Sequence, residues 1–370
     1  MKPGRNYSFL LRHSVNFVRS VQFKSQQKDD AMKTLTRLAL YAGCAYAGLN
    51  IARKIVRLGR HFDWNGKRVI ITGGSRGLGL VLARQLAGQG ARIAICSRDD
   101  FRLQSAFEQL QNYDAEILTI PCDVRNSDSV QTMVAQVANE FGGIDVLLNV
   151  AGVIEVGPLD SMELGDFENS MQTNCWGALR TTLAVLPYMR QQGWGRIVNV
   201  ASLGGKRAIP HMLPYAASKF ALVGLSNGLR AELLKENIFV TTACPSLMRT
   251  GSPRHATFKG KHREEYAWFA IGDSLPVMSM DAELAAEQIL RACQDGRGEV
   301  FIRNNFNITV ALQQLFPEFT NELLSLANYL LPEMGGIGQN AAKGFESESD
   351  WTRSPLTYYT QKAAQVNNEN

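Results

Sequence analysis

The chain has 370 residues, enough to bury a large core, and the composition of an ordinary globular protein. Its net charge of +5 is unevenly distributed, because residues 1–60 hold 12 of the 39 Lys and Arg residues but two of the 34 Asp and Glu residues. The rest of the chain is mildly acidic, which argues against nucleic-acid binding by that part. Six scattered cysteines without a Cys-x-x-Cys pair are typical of reduced core residues. The five histidines lack metal-ligand spacing, so we expect no metal site.

The basic N-terminal segment, residues 1–61, has two parts. Residues 1–30 are rich in Arg and Ser, as in a mitochondrial transit peptide or a disordered tail. The uncharged run from Leu38 to Ala52 falls short of the ~20 residues that span a bilayer. It is compatible with an interfacial or docking helix, a core-packing helix, or a signal or anchor sequence. A basic cluster follows it, formed by Arg53, Lys54, Arg57 and Arg60. We expect a cytoplasmic protein, with peripheral membrane contact through residues 32–60 left open.

Between residues 62 and 303, apolar runs of strand length alternate with segments of helical periodicity. Strands are predicted over Arg68–Ile71, Ala91–Cys96, Glu116–Pro121, Val146–Val150, Arg196–Ala201, Phe239–Cys244 and Glu299–Ile302. Helices are predicted over Leu78–Leu86, Asp100–Gln111, Ser127–Phe141, Glu163–Gln191, Tyr215–Glu236 and Asp281–Cys293. Nearly continuous apolar strands separated by helices indicate a parallel sheet covered on both faces. The sequence therefore predicts an α/β, doubly wound, Rossmann-like domain with seven parallel strands.

A glycine-rich turn follows the first predicted strand and leads directly into a helix. The turn reads Thr72-Gly73-Gly74-Ser75-Arg76-Gly77-Leu78-Gly79. A strand, a glycine turn and a helix in this order favour a dinucleotide-binding site. Glycines permit backbone conformations that a Cβ would block, and they let the backbone approach a pyrophosphate on the N–H groups of the helix start.

Tyr215 and Lys219 are four residues apart, so their side chains share one face of a predicted helix. A phenol has an ordinary pKa of about 10, and a neighbouring ammonium lowers that pKa by stabilising the phenolate. We therefore expect Tyr215 to donate a proton to a carbonyl oxygen or to remove one from an alcohol. Ser202 follows a predicted strand, at the sheet edge where ligands bind, and its hydroxyl is expected to polarise the substrate oxygen.

The charges near the second strand indicate which cofactor is preferred. The 2′-phosphate of NADP requires a cation, whereas the ribose diol of NAD requires a carboxylate after the second strand. Arg76 and Arg98 are placed to meet a phosphate, and the neighbouring Asp99 and Asp100 argue the other way. On balance the sequence favours NADP(H) over NAD(H).

The motifs as a set resemble those of the short-chain dehydrogenase/reductase family over residues 62–303. They are the glycine turn, Cys122-Asp123-Val124, Asn149-Val150-Ala151-Gly152, Asn174, Ser202, Tyr215-Ala216-Ala217-Ser218-Lys219 and Pro245-Ser246-x-x-x-Thr250. The resemblance implies an NAD(P)-dependent oxidoreductase acting on a carbonyl/alcohol pair. It implies a catalytic set of Asn174, Ser202, Tyr215 and Lys219, in which Asn174 holds a proton-relay water. Val150 and Ser246 depart from the commonest pattern of the family.

The resemblance, together with the charge argument, also implies a cofactor site. Its expected members are Gly73, Ser75, Arg76, Gly77, Leu78, Gly79, Arg98, Asp123, Val124, Asn149, Ala151, Gly152, Tyr215, Lys219 and Thr250. Within this set, Asp123 and Val124 are expected to flank the adenine, and Thr250 to bond the nicotinamide carboxamide. Two other functions share this fold: a non-catalytic nucleotide-binding scaffold or sensor, and an epimerase or dehydratase.

The remaining segments bear on the substrate and on interactions. Residues 247–280 form the substrate lid in this family, and their Met and aromatic side chains indicate either an apolar, lipid-like substrate or core packing. An amphipathic helical extension is expected over residues 304–334, packed on the parent domain. Residues 335–370 are expected to be disordered. Formation of a homo-oligomer is left open.

Overall fold

The computed structural model describes residues 36–370, except residues 39, 42, 49, 53, 277 and 303–305, and the side chains of residues 306–309. The chain divides into two compact units, Met1–Arg60 and His61–Asn370. The arm over residues 1–30 and Arg53 of the basic cluster lie outside the described residues.

The described part of residues 36–58 is helical. Its large apolar side chains are exposed, by 47% to 69% in Leu38, Leu40, Tyr41, Tyr46, Ile51, Ile55, Val56 and Leu58. Among the described residues, none of the helices combines the length and the hydropathy that a membrane span requires.

A seven-stranded parallel sheet forms the centre of the second unit. Its strands are β1 (Arg68–Thr72), β2 (Arg92–Ser97), β3 (Ile117–Pro121), β4 (Val146–Asn149), β5 (Gly195–Val200), β6 (Ile238–Pro245) and β7 (Glu299–Ile302). Their spatial order is β7-β6-β5-β4-β1-β2-β3, so the predicted doubly wound sheet is confirmed. Strand order reverses at β1, where Ile70 lies opposite Ala94 of β2 on one side and Leu147 of β4 on the other.

Helices cover both faces of the sheet, because successive strand residues point to opposite faces. Ile71 and Ile93 belong to one core layer, with α1 (Gly77–Ala87), α2 (Asp100–Leu110) and α8 (Ala282–Gln294). Ile70 and Ile197 belong to the other, with α3 (Ser127–Phe141) and α5 (Gly177–Gln192). Two further helices lie near the edge where ligands bind, α6 (Leu213–Leu233) and α7 (His262–Ser274).

The single helix predicted over Glu163–Gln191 is interrupted. It consists of α4 (Leu164–Met171), a π-helical turn over Gln172–Trp176, and α5. A π turn inserts one residue into the helical repeat, so the apolar periodicity of the sequence hardly changes across it. The turn carries Asn174.

The helical extension consists of α9 (Phe306–Leu315) and α10 (Pro317–Asn328). Large apolar side chains of these helices remain exposed, including Leu315 at 71%, Phe319 at 68% and Leu326 at 64%. The expectation that this apolar stripe packs on the parent domain is therefore wrong. An amphipathic pattern specifies which face is apolar, and it does not specify what covers that face.

Residues 335–370 contain short regular elements joined by turns, contrary to the expectation of disorder. Ala342–Lys343 pairs antiparallel with Thr257–Phe258, and α11 spans Tyr358–Val366. Thr360 and Asn367 are buried. The composition is misleading because some polar side chains of this C-terminal segment, Thr360 and Asn367 among them, are buried and bond polar groups of the domain.

Asp273 of α7 and Thr360 of α11 join the C-terminal segment to the domain. The Thr360 hydroxyl donates to the Asp273 carboxylate at 2.6 Å. Burial raises the pKa of Asp273 to about 7, against the opposing effects of Thr360 and Arg249. The folded pKa lies above the unfolded value of about 4, so the folded state binds the extra proton between these values. The stabilisation of the folded state by this proton on Asp273 is complete below about pH 4 and is lost as the pH rises through about 7.

We predict that docking of the C-terminal segment weakens between pH 5 and pH 8. Amide hydrogen exchange in α11, corrected for the intrinsic pH dependence, should accelerate over this range. Asp273→Asn keeps the acceptor for Thr360 but does not titrate, so the acceleration should be smaller in this variant. Equal pH dependence in both proteins would contradict the assignment to Asp273.

Candidate active site

The glycine turn lies between β1 and α1, at the point where strand order reverses. A Cβ on Gly79 would lie 2.1 Å from the Gly73 carbonyl oxygen, and a Cβ on Gly73 would lie 2.8 Å from the Cα of Ala151. Backbone atoms occupy both positions, so glycine is required at each. Arg76, the residue before α1, makes no side-chain capping hydrogen bond with the helix. The start of α1 is therefore suited to bind an anion.

A cavity of about 520 Å³ opens beside this turn, at the carboxyl ends of the strands. It runs from residues after β2 and β3 to the hydroxyls of Ser202 and Tyr215. The predicted residues that line it are Gly73, Ser75, Arg76, Gly77, Leu78, Gly79, Arg98, Asp123, Val124, Ala151, Gly152, Ser202, Tyr215, Lys219 and Thr250. Two predicted residues, Asn149 and Asn174, do not line the cavity.

Helix α6 places Tyr215 and Lys219 on one face, as the spacing predicts. The Lys219 ammonium donates to the Val200 carbonyl at 3.0 Å and lies 5.7 Å from the centre of the Tyr215 ring. Lys219 is thus held against the end of β5 and beside the phenol.

Burial has the largest effect on the pKa values of Tyr215 and Lys219. It raises the pKa of Tyr215, an effect that a hydrogen bond with Ser202 opposes. Burial also lowers the pKa of Lys219 to about 8. The expected lowering of the Tyr215 pKa by Lys219 is therefore wrong for this structure, because desolvation of the phenolate dominates. Tyr215 is a neutral phenol that carries a proton to donate.

Ser202 follows β5 in extended conformation and starts a short turn. Its hydroxyl accepts from the Gly204 N–H at 3.0 Å and hydrogen-bonds with Tyr215. A Cβ on Gly204 would lie 3.2 Å from the Tyr215 ring and 3.4 Å from the Ser202 hydroxyl oxygen. The two hydroxyls therefore converge around this glycine, and together they can bind one substrate oxygen.

Asn174 lies behind the cavity wall, in the π turn. Its side-chain oxygen accepts from the Val153 N–H at 2.8 Å, and its amide donates to the Ser218 hydroxyl at 2.8 Å. A Cβ on Gly152 would lie 3.0 Å from this oxygen and 3.6 Å from the Lys219 ammonium. Asn174 thus connects the loop after β4 to α6, close to Lys219.

Asn149 belongs to the interior of the sheet, contrary to the expected cofactor contact. Its amide donates to Asn199 of β5 at 2.9 Å, and its oxygen accepts from Thr181 of α5 at 2.6 Å. The side chain therefore joins β4 to its neighbours.

Thr72 has a role in the site that the sequence motifs do not indicate. Its hydroxyl oxygen accepts from the Val150 N–H at 3.1 Å and from the Ala151 N–H at 3.2 Å. These bonds fix the loop after β4 against the glycine turn. In the sequence, the only sign of this role is that Thr72 is the last residue of the strand before the glycine turn.

Three charged residues follow β2 and β3, at the end of the cavity away from Tyr215, and each has different contacts. Asp99 accepts from the Arg102 N–H at 3.1 Å and so caps α2. Asp123 accepts from the Arg125 guanidinium, which holds the pKa of that carboxyl below its ordinary value. Arg98 lines the cavity after β2 and is exposed.

The C-terminal segment also reaches the cavity, a placement that no motif of the sequence indicates. Glu369 lines the cavity and forms an ion pair with Arg76. The Asn367 carbonyl accepts from the Gly77 N–H at 2.9 Å. A nicotinamide dinucleotide fits the donors of this cavity, in which the glycine turn lies between Arg98 and the Ser202 and Tyr215 hydroxyls. The end of the chain lies against the same turn.

Comparison with known proteins identifies the family. Residues 67–258 match the model of the short chain dehydrogenase family. Dehydrogenase/reductase SDR family member 7B of Danio rerio is 33% identical over 278 residues, which are 73% of this chain and 88% of that protein. The chain belongs to the short-chain dehydrogenase/reductase family.

Other relatives agree with this assignment. The ketoacyl reductase HetN of Nostoc sp. is 36% identical over 180 residues, 49% of this chain and 63% of that protein. A short-chain type dehydrogenase/reductase from Mycobacterium marinum is similar to 66% of this chain and 96% of its own, with 28% identity and a TM-score of 0.58. A xylitol dehydrogenase solved with NAD+ gives a TM-score of 0.57 at 27% identity, over 65% of this chain and 99% of its own. This short-chain dehydrogenase/reductase is thus an NAD(P)-dependent oxidoreductase.

Proposed function

We propose that this short-chain dehydrogenase/reductase transfers hydride between NADP(H) and an apolar or lipid-like carbonyl/alcohol substrate. The convergence of the Ser202 and Tyr215 hydroxyls in the cavity that also contains Lys219 and the glycine turn carries the proposal. When bound, the nicotinamide supplies or accepts the hydride.

The protein's own side chains bind the substrate oxygen and move its proton. Ser202 binds and polarises the oxygen, because its hydroxyl converges with that of Tyr215. Tyr215 donates the proton during reduction, since burial keeps its phenol neutral. Lys219 holds the nicotinamide ribose, as the family resemblance implies. Asn174 acts beside Lys219 as the proton-relay residue and, through Val153 and Ser218, keeps the wall of the cavity in place.

The preference for NADP(H) rests on the charges after β2. Arg98 lines the cavity there, and its guanidinium suits a 2′-phosphate. Asp99 caps α2 and Asp123 pairs with Arg125, so neither carboxylate is presented to a ribose diol in the way that NAD requires.

The proposed substrate class rests on the side chains at the end of the cavity away from Arg98. Ile154, Ile209, Leu247, Met248 and Phe269 line it there. Tyr266 of the lid does not line the cavity, and its ring packs on Phe258 in the core. An apolar wall beside two convergent hydroxyls suits a carbonyl group on a hydrophobic molecule. The similarity to a ketoacyl reductase agrees with such a substrate.

We predict that Tyr215→Phe lowers the rate of NADPH-dependent carbonyl reduction by about 100- to 10,000-fold, because the proton donor is removed. NADPH affinity should change little. Turnover on a panel of apolar ketones and NADPH binding are measured in parallel. Tyr188→Phe, which removes a hydroxyl outside the cavity, is the matched control. Nucleotide binding by the native protein without turnover on any substrate would favour the scaffold or sensor.

We predict that Arg98→Asp weakens NADPH binding by about 10- to 100-fold, the cost of losing a charge-assisted hydrogen bond. NADH binding should change far less, because NADH lacks the 2′-phosphate. Fluorescence titration with both nucleotides gives the two dissociation constants. Arg263→Asp carries the same charge change on α7 and is the control. A loss of equal size for NADPH and NADH would rule out the assignment of Arg98.

A further inference from the structure

The last residues of the chain lie on the part of the glycine turn that is built for phosphate. Gly77 begins α1, and its N–H donates to the Asn367 carbonyl at 2.9 Å. A Cβ on Gly77 would lie 2.6 Å from the Glu369 carboxylate oxygen Oε1. The space that the missing side chain leaves for an approaching phosphate therefore holds a carboxylate of the same chain.

Glu369 also engages a cation that the sequence assigns to the cofactor. Its carboxylate pairs with the Arg76 guanidinium, and its side chain is 2% exposed. Burial raises the pKa of this carboxyl, while Arg76, Arg102 and Arg254 oppose that rise. A carboxylate and a phosphate are both anions that bind Arg and the N–H groups of a helix start, so the two compete for the same donors.

Docking of this terminus is specific. Arg84 of α1 donates to the Asn367 side chain at 2.6 Å, and the Asn368 amide donates to the Ser75 carbonyl at 2.9 Å. Ser105 of α2 donates to the Asn368 side chain at 3.1 Å. The His255 ring bonds the Glu369 carbonyl at 2.9 Å. The terminus is thus held by groups from α1, α2 and the lid.

The lid is shaped to accept this segment. Gly251 has a φ of +91°, and a Cβ there would lie 2.5 Å from the Cα of Ala364 in α11. The Asn367 amide donates to the Thr250 carbonyl at 3.3 Å. Thr250 is the residue expected to bond the nicotinamide carboxamide. The segment therefore contacts the lid at the nicotinamide side and the glycine turn at the phosphate side.

We propose that Asn367 and Glu369 act as a built-in competitor for the phosphate groups of the cofactor, and that Glu369 limits the preference for NADPH by occupying Arg76. The nucleotide binds tightly only when the terminus leaves the turn. Its apparent affinity is therefore reduced by the fraction of molecules in which the terminus is undocked. The pyrophosphate contact at Gly77 affects both nucleotides, whereas the contact at Arg76 affects the 2′-phosphate of NADPH. The second part of the inference rests on the proposed preference for NADP(H).

The test compares nucleotide affinity in variants of the 370-residue chain. Glu369→Gln keeps the size of the side chain and removes its charge, and Glu369→Ala also empties the space over Gly77. Both should tighten NADPH binding by about tenfold or more and NADH binding by a smaller factor, measured by fluorescence titration. Glu236→Gln removes a carboxylate that pairs with Arg190, away from the cavity and from the C-terminal segment, and is the matched control. Its affinities should equal those of the native protein.

Hydrogen exchange gives a second readout that does not depend on turnover. Saturating NADPH should accelerate amide exchange over residues 364–370 of the native protein while it protects residues 75–79. Weaker NADPH binding in both Glu369 variants, with unchanged thermal stability, would overturn the inference and make Glu369 a ligand of the cofactor. Unchanged affinities together with a terminus protected by NADPH would overturn it as well. Absence of nucleotide binding in every variant would instead refute the proposed function along with the inference.

Discussion

The reversal of strand order at β1 is the constraint on which the site depends. β1 pairs with β2 on one side and with β4 on the other, so the chain segments that leave β1 and β4 share one edge of the sheet. Thr72 locks them together by accepting from two N–H groups of the second segment. Gly73 allows the close contact with Ala151 that this requires. The geometry of the glycine turn is thus fixed by the protein before any ligand binds.

Desolvation sets the pKa values of the reacting groups, Tyr215 and Lys219. A phenol already has an ordinary pKa of about 10, so further burial leaves Tyr215 protonated at neutral pH. The same burial brings the pKa of Lys219 to about 8, close to the pH at which proteins work. With the Ser202 hydroxyl bonded to the phenol, the arrangement favours proton donation to a bound oxygen. Neighbouring charges matter less here than the exclusion of water.

The sequence predicted the parts of the molecule that local patterns determine. The strand β7 has the predicted bounds Glu299–Ile302, and Tyr215 and Lys219 share a helix face because four residues make about one turn. Asn149 could not be placed from the pattern, because its side chain depends on partners on β5 and α5. The direction of the Tyr215 pKa shift depends on burial, which spacing does not show.

The structure of the C-terminal segment could not be predicted from the sequence. Its polar composition is typical of disorder, yet Glu369 binds Arg76, which lies almost 300 residues earlier in the sequence. Such a contact depends on the finished fold. The sequence therefore located the glycine turn but did not indicate that Asn367 and Glu369 lie on it.

The claim that this protein transfers hydride is tested most directly by following the hydride itself. NADPH that carries deuterium in place of both hydrogens on C4 of the nicotinamide is mixed with the protein and an apolar ketone, and the product is analysed by mass spectrometry. The account predicts an alcohol with one deuterium on the carbon that bore the oxygen. Product formation without deuterium at that carbon, or turnover that leaves NADPH unoxidised, would contradict it.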